Sequence, residues 1–359
     1  MLRLKNLIRP LIQITAAALL LGSLAMQPAA AAEKQSFKVA WSIYVGWMPW
    51  DYAKQSGILK KWADKYGIKI ELTQVNDYVE SINQYTAGGF DACVMTNMDT
   101  LTIPAAGGVD STALIVGDYS NGNDGVVIKG KGKKLTDIKG LPINLVELSV
   151  SHYLLARGLD SVGLKERDIK VVNTSDADIV GAYAAKDTKA TVTWKPQLSE
   201  ILAAPDAQLV FDSSKIPGEI IDLMVVNSAT LKDNPKLGKA LVGAWYETLA
   251  LMAKKDPQAL ASMAKASGTD IAGFNSQLAT TKMFWTPAAA LEFTTSPNLV
   301  KTNDLVRKFS FDHGLLGEGA KSVDAVGLEF PGGKTLGNAK NVKMRFDVTY
   351  VQMAAEGKL

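Results

Sequence analysis

Large rings crowd into one short stretch, WSIYVGWMPWDY, which holds Trp41, Tyr44, Trp47, Trp50 and Tyr52. Its Gly46 and Pro49 disfavour a helix interior, so the stretch reads as a loop entering a helix. Acids recur in other short stretches where the chain leaves a strand or enters a helix: Asp99 in TNMD, Glu147 in VELS, Glu219 and Asp222 in GEIID. TVTWKPQ adds Trp194 and the single cation Lys195, and SVSHY adds the titratable His152. Carboxylates beside aromatic faces suit a small planar cation. Guanidinium donates hydrogen bonds all round its edge, a carboxylate accepts two of them in parallel, and its weakly hydrated faces stack on tryptophan. An anion would need cationic or strongly donating partners, which these loops lack.

Each residue has a structural reading beside the chemical one. Trp50 and Tyr52 sit at helical spacings that face a core. Trp41 ends a strand, and core and ligand roles stay equally open there. Trp47, next to Gly46 in the turn, favours the cleft. Asp99 and Glu147 precede or begin helices, where an acid also caps or complements the dipole. Glu219 follows Gly218 and reads equally well as a solvated loop acid. Asp222 interrupts the apolar strand IIDLMVV, and a buried carboxylate there requires a partner. His152 fits a satisfied helix histidine.

These residues need a scaffold, and the chain alternates strand and helix patterns. SFKVAWS, IKIELTQV, FDACVMT and STALIVGDY read as strands, separated by helices over Met48 to Tyr66 and Tyr78 to Ala87. This argues for an α/β domain with a mostly parallel sheet. A second α/β unit follows, with strands GVVIKG, LPINLVELS, IKVVNTS, KATVTW, QLVFDSS and IIDLMVVN, and a helix in SHYLLARGLDSVG capped by Ser149 or Ser151. A long helical pattern covers Asp233 to Asp256, more helices run to about Leu316, and a turn-rich hairpin precedes a final strand or helix. The alternating lysines of KGKGKK fit a solvated loop, since no P-loop pattern accompanies them.

The first 32 residues have the order of a secretory leader: Arg3, Lys5 and Arg9 without acids, an apolar run, then Ala30-Ala31-Ala32 before Glu33. The whole chain carries 39 basic and 36 acidic residues. Without the leader's three cations, 36 of each remain, so the mature chain has no net charge to recruit nucleic acid or an anionic membrane. Cys93, the one cysteine, allows no internal disulfide. His152 and His313 are isolated, and neither a metal site nor a cofactor is called for.

Four segments together are specific: YVGWMPWDYAKQSGILKKW, TAGGFDACVMTNMDTL, KKLTDIKGLPINLVELSVSHYLLARGLDSVGLKERDI and TVTWKPQLSEI. With them the chain resembles periplasmic solute-binding proteins of ABC importers, of the nitrate/sulfonate/taurine-type group. The resemblance implies a two-lobed type II periplasmic binding protein fold with the ligand cleft between lobes. It divides the chain into a signal peptide over 1–32, one discontinuous lobe of 33–119 and 223–359, and a second lobe of 120–222. The tail and the acidic, Trp-rich loops look closest to a subgroup whose genes accompany urea carboxylase, which implies urea or guanidine as ligand. The expected contacts are Trp41, Tyr44, Trp47, Asn97, Asp99, Glu147, Ser149, Trp194 and Asp222, with no catalytic residue. The implied protein is a periplasmic monomer that delivers its small-molecule ligand to an inner-membrane permease. Urea is the alternative ligand, and taurine or another sulfonate the group's default. An enzyme like the thiamine-pyrimidine synthases shares the fold, but no Ser–His–acid set can be assembled here. A pure interaction module would have no small-molecule pocket.

Overall fold

The computed structural model describes residues 34–317 and 319–359, so the leader expected over 1–32 lies outside the described residues. Fourteen strands form two sheets. They are β1 Ser36–Trp41, β2 Lys69–Gln74, β3 Ala92–Thr96, β4 Ser111–Ser120, β5 Asp124–Lys129, β6 Pro142–Leu145, β7 Lys170–Asn173, β8 Ala190–Trp194, β9 Ala207–Asp212, β10 Ile221–Asn227, β11 Thr281–Met283, β12 Gly327–Phe330, β13 Lys334–Gly337 and β14 Val342–Phe346. The larger sheet runs β13-β12-β14-β4-β10-β3-β1-β2, with β11 added along β4. The smaller runs β7-β6-β8-β5-β9. Both belong to one compact unit, Gln35–Leu359. No helix among the described residues is long and apolar enough to cross a membrane.

The two sheets exchange the chain at adjacent strands. β4 leaves the larger sheet for β5, and the chain returns from β9 into β10, which inserts between β3 and β4 antiparallel to both. The larger sheet is therefore mixed, where the strand-helix alternation suggests a mostly parallel one: a strand arriving from the other sheet is not bound by the crossover geometry of a βαβ unit. β10 begins at Ile221 and lies in the larger sheet, so Asp222 sits on the returning strand itself.

Register then makes a decisive pairing. Asp222 of β10 stands opposite Asp118 of β4 on one side and Thr96 of β3 on the other. The β4–β10 ladder slips between Asp222 and Leu223, leaving Gly117 as the extra residue. Such a bulge re-aims the side chain beside it. Gly117 is tightly fitted, since a Cβ there would meet the Trp245 ring at 3.0 Å and push on it.

The helix read over Met48 to Tyr66 is two, Met48–Gln55 and Ile58–Lys65, because Gly57 adopts a left-handed φ of 81° and turns the chain between them. Behind the larger sheet, the long helix Pro235–Ala253 packs on both, with Trp245 against Trp50 at 5.1 Å between ring centroids. Its Gly243 lies against Trp62, where a Cβ would meet the ring at 2.4 Å. Gly243→Ala is expected to lower stability by about 1–3 kcal/mol, the usual scale of overpacking, as a reduced denaturant midpoint with unchanged m-value.

Candidate functional site

The carboxyl ends of β1, β3, β6 and β8 converge where the sheets face each other, as open α/β folds place their ligand crevices. A tight chamber with a cavity volume of about 10 Å³, roughly that of one water, lies there, lined by Tyr44, Trp47, Tyr78 and Thr96 from one side, Asp124, Val150 and Trp194 from the other, and Ile220 and Asp222 from the return crossover. Its walls are rings. Tyr44 meets Trp47 edge-on at 5.1 Å, Trp47 lies 5.8 Å from Tyr78, and Tyr78 meets Trp194 edge-on at 5.4 Å. The ring-rich stretch beginning at Trp41 thus supplies one wall of a cage, through a short 3-10 turn over Val45–Trp47. Gly46 is required in that turn, because a Cβ would sit 2.4 Å from the Tyr44 ring and 2.7 Å from an Asp118 oxygen.

Around these rings lie four buried carboxylates: Asp99, Asp118, Asp124 and Asp222. Asp118 accepts a hydrogen bond from the Tyr44 hydroxyl at 2.9 Å. Asp124 accepts from the Ser120 hydroxyl. Asp99 Oδ2 accepts from the Tyr78 hydroxyl at 2.6 Å, the Thr96 hydroxyl at 2.8 Å and the Val150 N–H at 3.3 Å. One oxygen on each of Asp99, Asp118 and Asp222 is buried without a hydrogen-bond partner. No lysine, arginine or histidine lines the chamber among the described residues. Lys195 is turned away, its Nζ on the Thr280 hydroxyl at 3.0 Å.

Burial without a cation pushes these acids upward. Asp99 rises to about 6, and Asp118 and Asp124 each rise to about 7. Asp222 is raised well above the ordinary carboxylate range by burial and by Asp118 opposite it. Two carboxylates opposed across a ladder resist ionising together, so Asp222 keeps its proton and shares it with Asp118.

Several expected contacts meet here: Tyr44, Trp47, Trp194 and Asp222 line the chamber, and Asp99 lies directly behind Tyr78 and Thr96. Four others do not line it. Trp41 is buried in the core at the end of β1. Asn97 holds backbone and helix together, accepting from the Ile221 N–H at 3.0 Å and donating to Asn303 at 3.3 Å. Ser149 caps the helix Val150–Ser161. Glu147 is exposed, on a groove shared with Asp77 and Asn173. Glu219, read as a loop acid, is buried in a two-pronged ion pair with Arg157, both bonds 2.8 Å. His152 is satisfied locally, its Nδ1 accepting from the Leu148 N–H at 3.2 Å.

Tyr78, Asp118 and Asp124 escape a reading of the sequence alone. Asp118 carries the same signal as Asp222, an acid at the end of an apolar strand. Tyr78 reads as an ordinary first residue of an amphipathic helix.

A two-sheet frame of this topology can be compared with known proteins. The NMT1-like family model matches residues 30–267. The chain belongs to the NMT1-like family. Among curated relatives, a putative binding protein of Brucella abortus is 26% identical over 151 residues, 41% of this chain and 46% of that one. The taurine-binding periplasmic protein of Escherichia coli is 22% identical over 143 residues, 39% of this chain and 44% of that one. The chain spans less than half the length of these relatives. The alkanesulfonate-binding protein SsuA of Xanthomonas axonopodis pv. citri shares the fold with a TM-score of 0.67 at 18% identity, over 80% of this chain and 96% of that one. A desulfurization enzyme shares it at 0.53 and 16% identity, over 78% and 93%. The curated relatives matched are binding proteins, and the fold supports other chemistry elsewhere.

The raised acids set a pH dependence. Between about pH 4 and pH 7 the folded protein keeps protons that the unfolded chain, with carboxylates near 3.8, has released. Their contribution to stability therefore falls as pH rises through that window. Asp222→Asn is expected to stabilise the ligand-free protein by about 1–3 kcal/mol at pH 7.5, read as a higher thermal midpoint, because no proton then has to be held on a buried acid, and to change stability far less at pH 5. Scanning calorimetry at both pH values checks this.

Proposed function

We propose that this NMT1-like protein is the solute-binding component of an ABC importer, working in the periplasm, and that its chamber captures guanidinium. One observation carries the choice of ligand: Asp118, Asp124, Asp222 and Asp99 are buried around one aromatic cage with no cation of the chain's own to offset them. A buried carboxylate without a partner is costly, and a desolvated cation supplies the missing partner. Guanidinium matches the rest of the lining. Its edges would satisfy the free oxygens of Asp222 and its neighbours, and its faces would lie against Trp47, Tyr78 and Trp194.

The ligand named for the Escherichia coli relative, taurine, carries a sulfonate. A sulfonate placed here would face Asp124 and Asp222 with no cationic partner in the lining. Urea shares the shape and the donors, so it competes on geometry alone. It is neutral and leaves the acids uncompensated. No paired nucleophile and base line the chamber, so the reading is capture and release rather than turnover.

Calorimetry of the mature protein at pH 7.5 is expected to show one guanidinium per chain, with urea and taurine at least about 100-fold weaker. Because cation binding ionises acids that sit near 7, protons should be released, and affinity should fall as pH drops from 7.5 to 5.5. Asp222→Asn should cost about 2–5 kcal/mol of affinity, the scale for truncating a buried charge pair. Trp47→Ala should cost about 1–2 kcal/mol. Equal urea and guanidinium affinities, without proton release, would assign the acids to the scaffold, and tight taurine binding would overturn the electrostatic argument.

A further inference from the structure

The chamber is shut by hydrogen bonds that run between the two halves of the molecule. Trp194 Nε1 donates to the Ile43 carbonyl at 3.0 Å, and the Val45 N–H donates to the Lys195 carbonyl at 3.2 Å. Two further bonds use carboxylates, and they are exchanged. Asp176, in the loop after β7 of the smaller sheet, accepts from the N–H of Tyr78 at 2.9 Å. Tyr78 is the first residue of the helix Tyr78–Thr86, which belongs to the larger-sheet half and is already capped by its own Asp77. In return Asp99, after β3 of the larger sheet, accepts from the N–H of Val150, the first residue of the helix Val150–Ser161 of the smaller-sheet half. Each half lends an acid to a helix start of the other, where the exposed N–H groups and the helix dipole both favour a negative charge.

Tyr78 joins the two exchanges. Its N–H is bound to Asp176, its hydroxyl donates to Asp99 at 2.6 Å, and the hydroxyl oxygen accepts from the Thr96 N–H at 2.9 Å. Its ring lines the chamber between Trp47 and Trp194. Asp176 itself does not line the chamber. It is 1% exposed, and its second oxygen is buried with no hydrogen-bond partner. A surface cap would not be buried in this way. The burial exists only because the loop after β7 is pressed against the helix of the opposite half.

We propose that Asp176 is the closure residue of this protein: its carboxylate, held on the Tyr78 N–H across the cleft, sets how long the halves stay shut on a bound solute and so sets the dissociation rate. The Asp176–Tyr78–Asp99–Val150 chain crosses the cleft twice and passes through a ring of the cage. A solute that orders Tyr78 therefore strengthens both crossings, and loss of either frees the ring. Ligand recognition is left to the cage, so Asp176 acts on retention and not on choice of ligand. This rests on the capture reading above, though not on which solute is captured.

The test uses the full mature protein and guanidinium chloride at millimolar concentration, with the fluorescence of Trp47 and Trp194 as the stopped-flow signal. Asp176→Ala removes the acceptor and is expected to raise koff by about 10-fold or more, the loss of one charge-assisted hydrogen bond, with kon within about 3-fold of the parent. Asp176→Asn keeps an acceptor oxygen for the Tyr78 N–H and should return koff to within about 3-fold of the parent, a rescue that a general loss of stability would not produce. An unchanged koff in Asp176→Ala, or an affinity change carried wholly by kon, overturns the proposal. If the parent binds no guanidinium, the ligand assignment fails by itself. Closure is then read without ligand by small-angle X-ray scattering, where Asp176→Ala must give a larger radius of gyration than the parent and Asp176→Asn must not. Equal radii in all three proteins would sink the closure role.

Discussion

The structure turns on one electrostatic constraint: four carboxylates are taken out of water around an aromatic cage, and no lysine, arginine or histidine among the described residues lines it. Desolvation of a single carboxylate costs several kcal/mol unless something offsets it. Here two of the four, Asp118 and Asp222, face each other across a strand pair, which adds repulsion to desolvation. Protons offset part of this, which is why burial holds these acids near neutrality. A scaffold selected for stability alone would fill these positions with apolar residues of similar size.

The fold explains why the acids come together. The chain crosses from the larger sheet to the smaller and back at two neighbouring strands, β4 and β10. Residues near the ends of those strands are adjacent in space whatever their separation in sequence, and they sit where the two halves meet. Asp118 lies just before the outgoing crossover, Asp124 just after it, and Asp222 at the end of the return. The acid cluster and the two chain crossings between the sheets therefore occupy the same place.

The strands and most helices are legible in the residues, because alternation and turn chemistry are local. Where the reading departs from the structure, the cause is a non-local contact. The break at Gly57 depends on one left-handed residue inside a continuous amphipathic pattern. The placement of β10 in the middle of the larger sheet is a property of topology that no local pattern carries. Within the site, Asp222 is legible because it breaks the apolar run IIDLMVV near the start of its strand, whereas Asp118 carries the same chemistry and stands out only once β4 is paired with β10. Glu219 shows the converse. Its position after a glycine looks like a loop, and its partner Arg157 is brought to it by the helix Val150–Ser161. Glu147 and Ser149 follow β6 toward the cleft as strand polarity demands, but the chain turns at Leu148, which has a φ of 60°, and leaves Glu147 outside.

Likeness to sulfonate-binding proteins sharpens this argument. An 18% identical structure establishes that the two-sheet frame is shared, and a frame does not choose the sign of its ligand. What chooses is the few side chains projected from strand ends into the gap. A frame that holds a sulfonate needs donors there, while this chain projects Asp124 and Asp222 beside four rings and keeps Lys195 on Thr280. On such a frame the sign of the lining can change through a few strand-end positions alone, because those positions project into the gap between the sheets. Ligand chemistry can therefore diverge inside this fold faster than the fold itself, so the lining residues carry more information about the captured solute than overall likeness does.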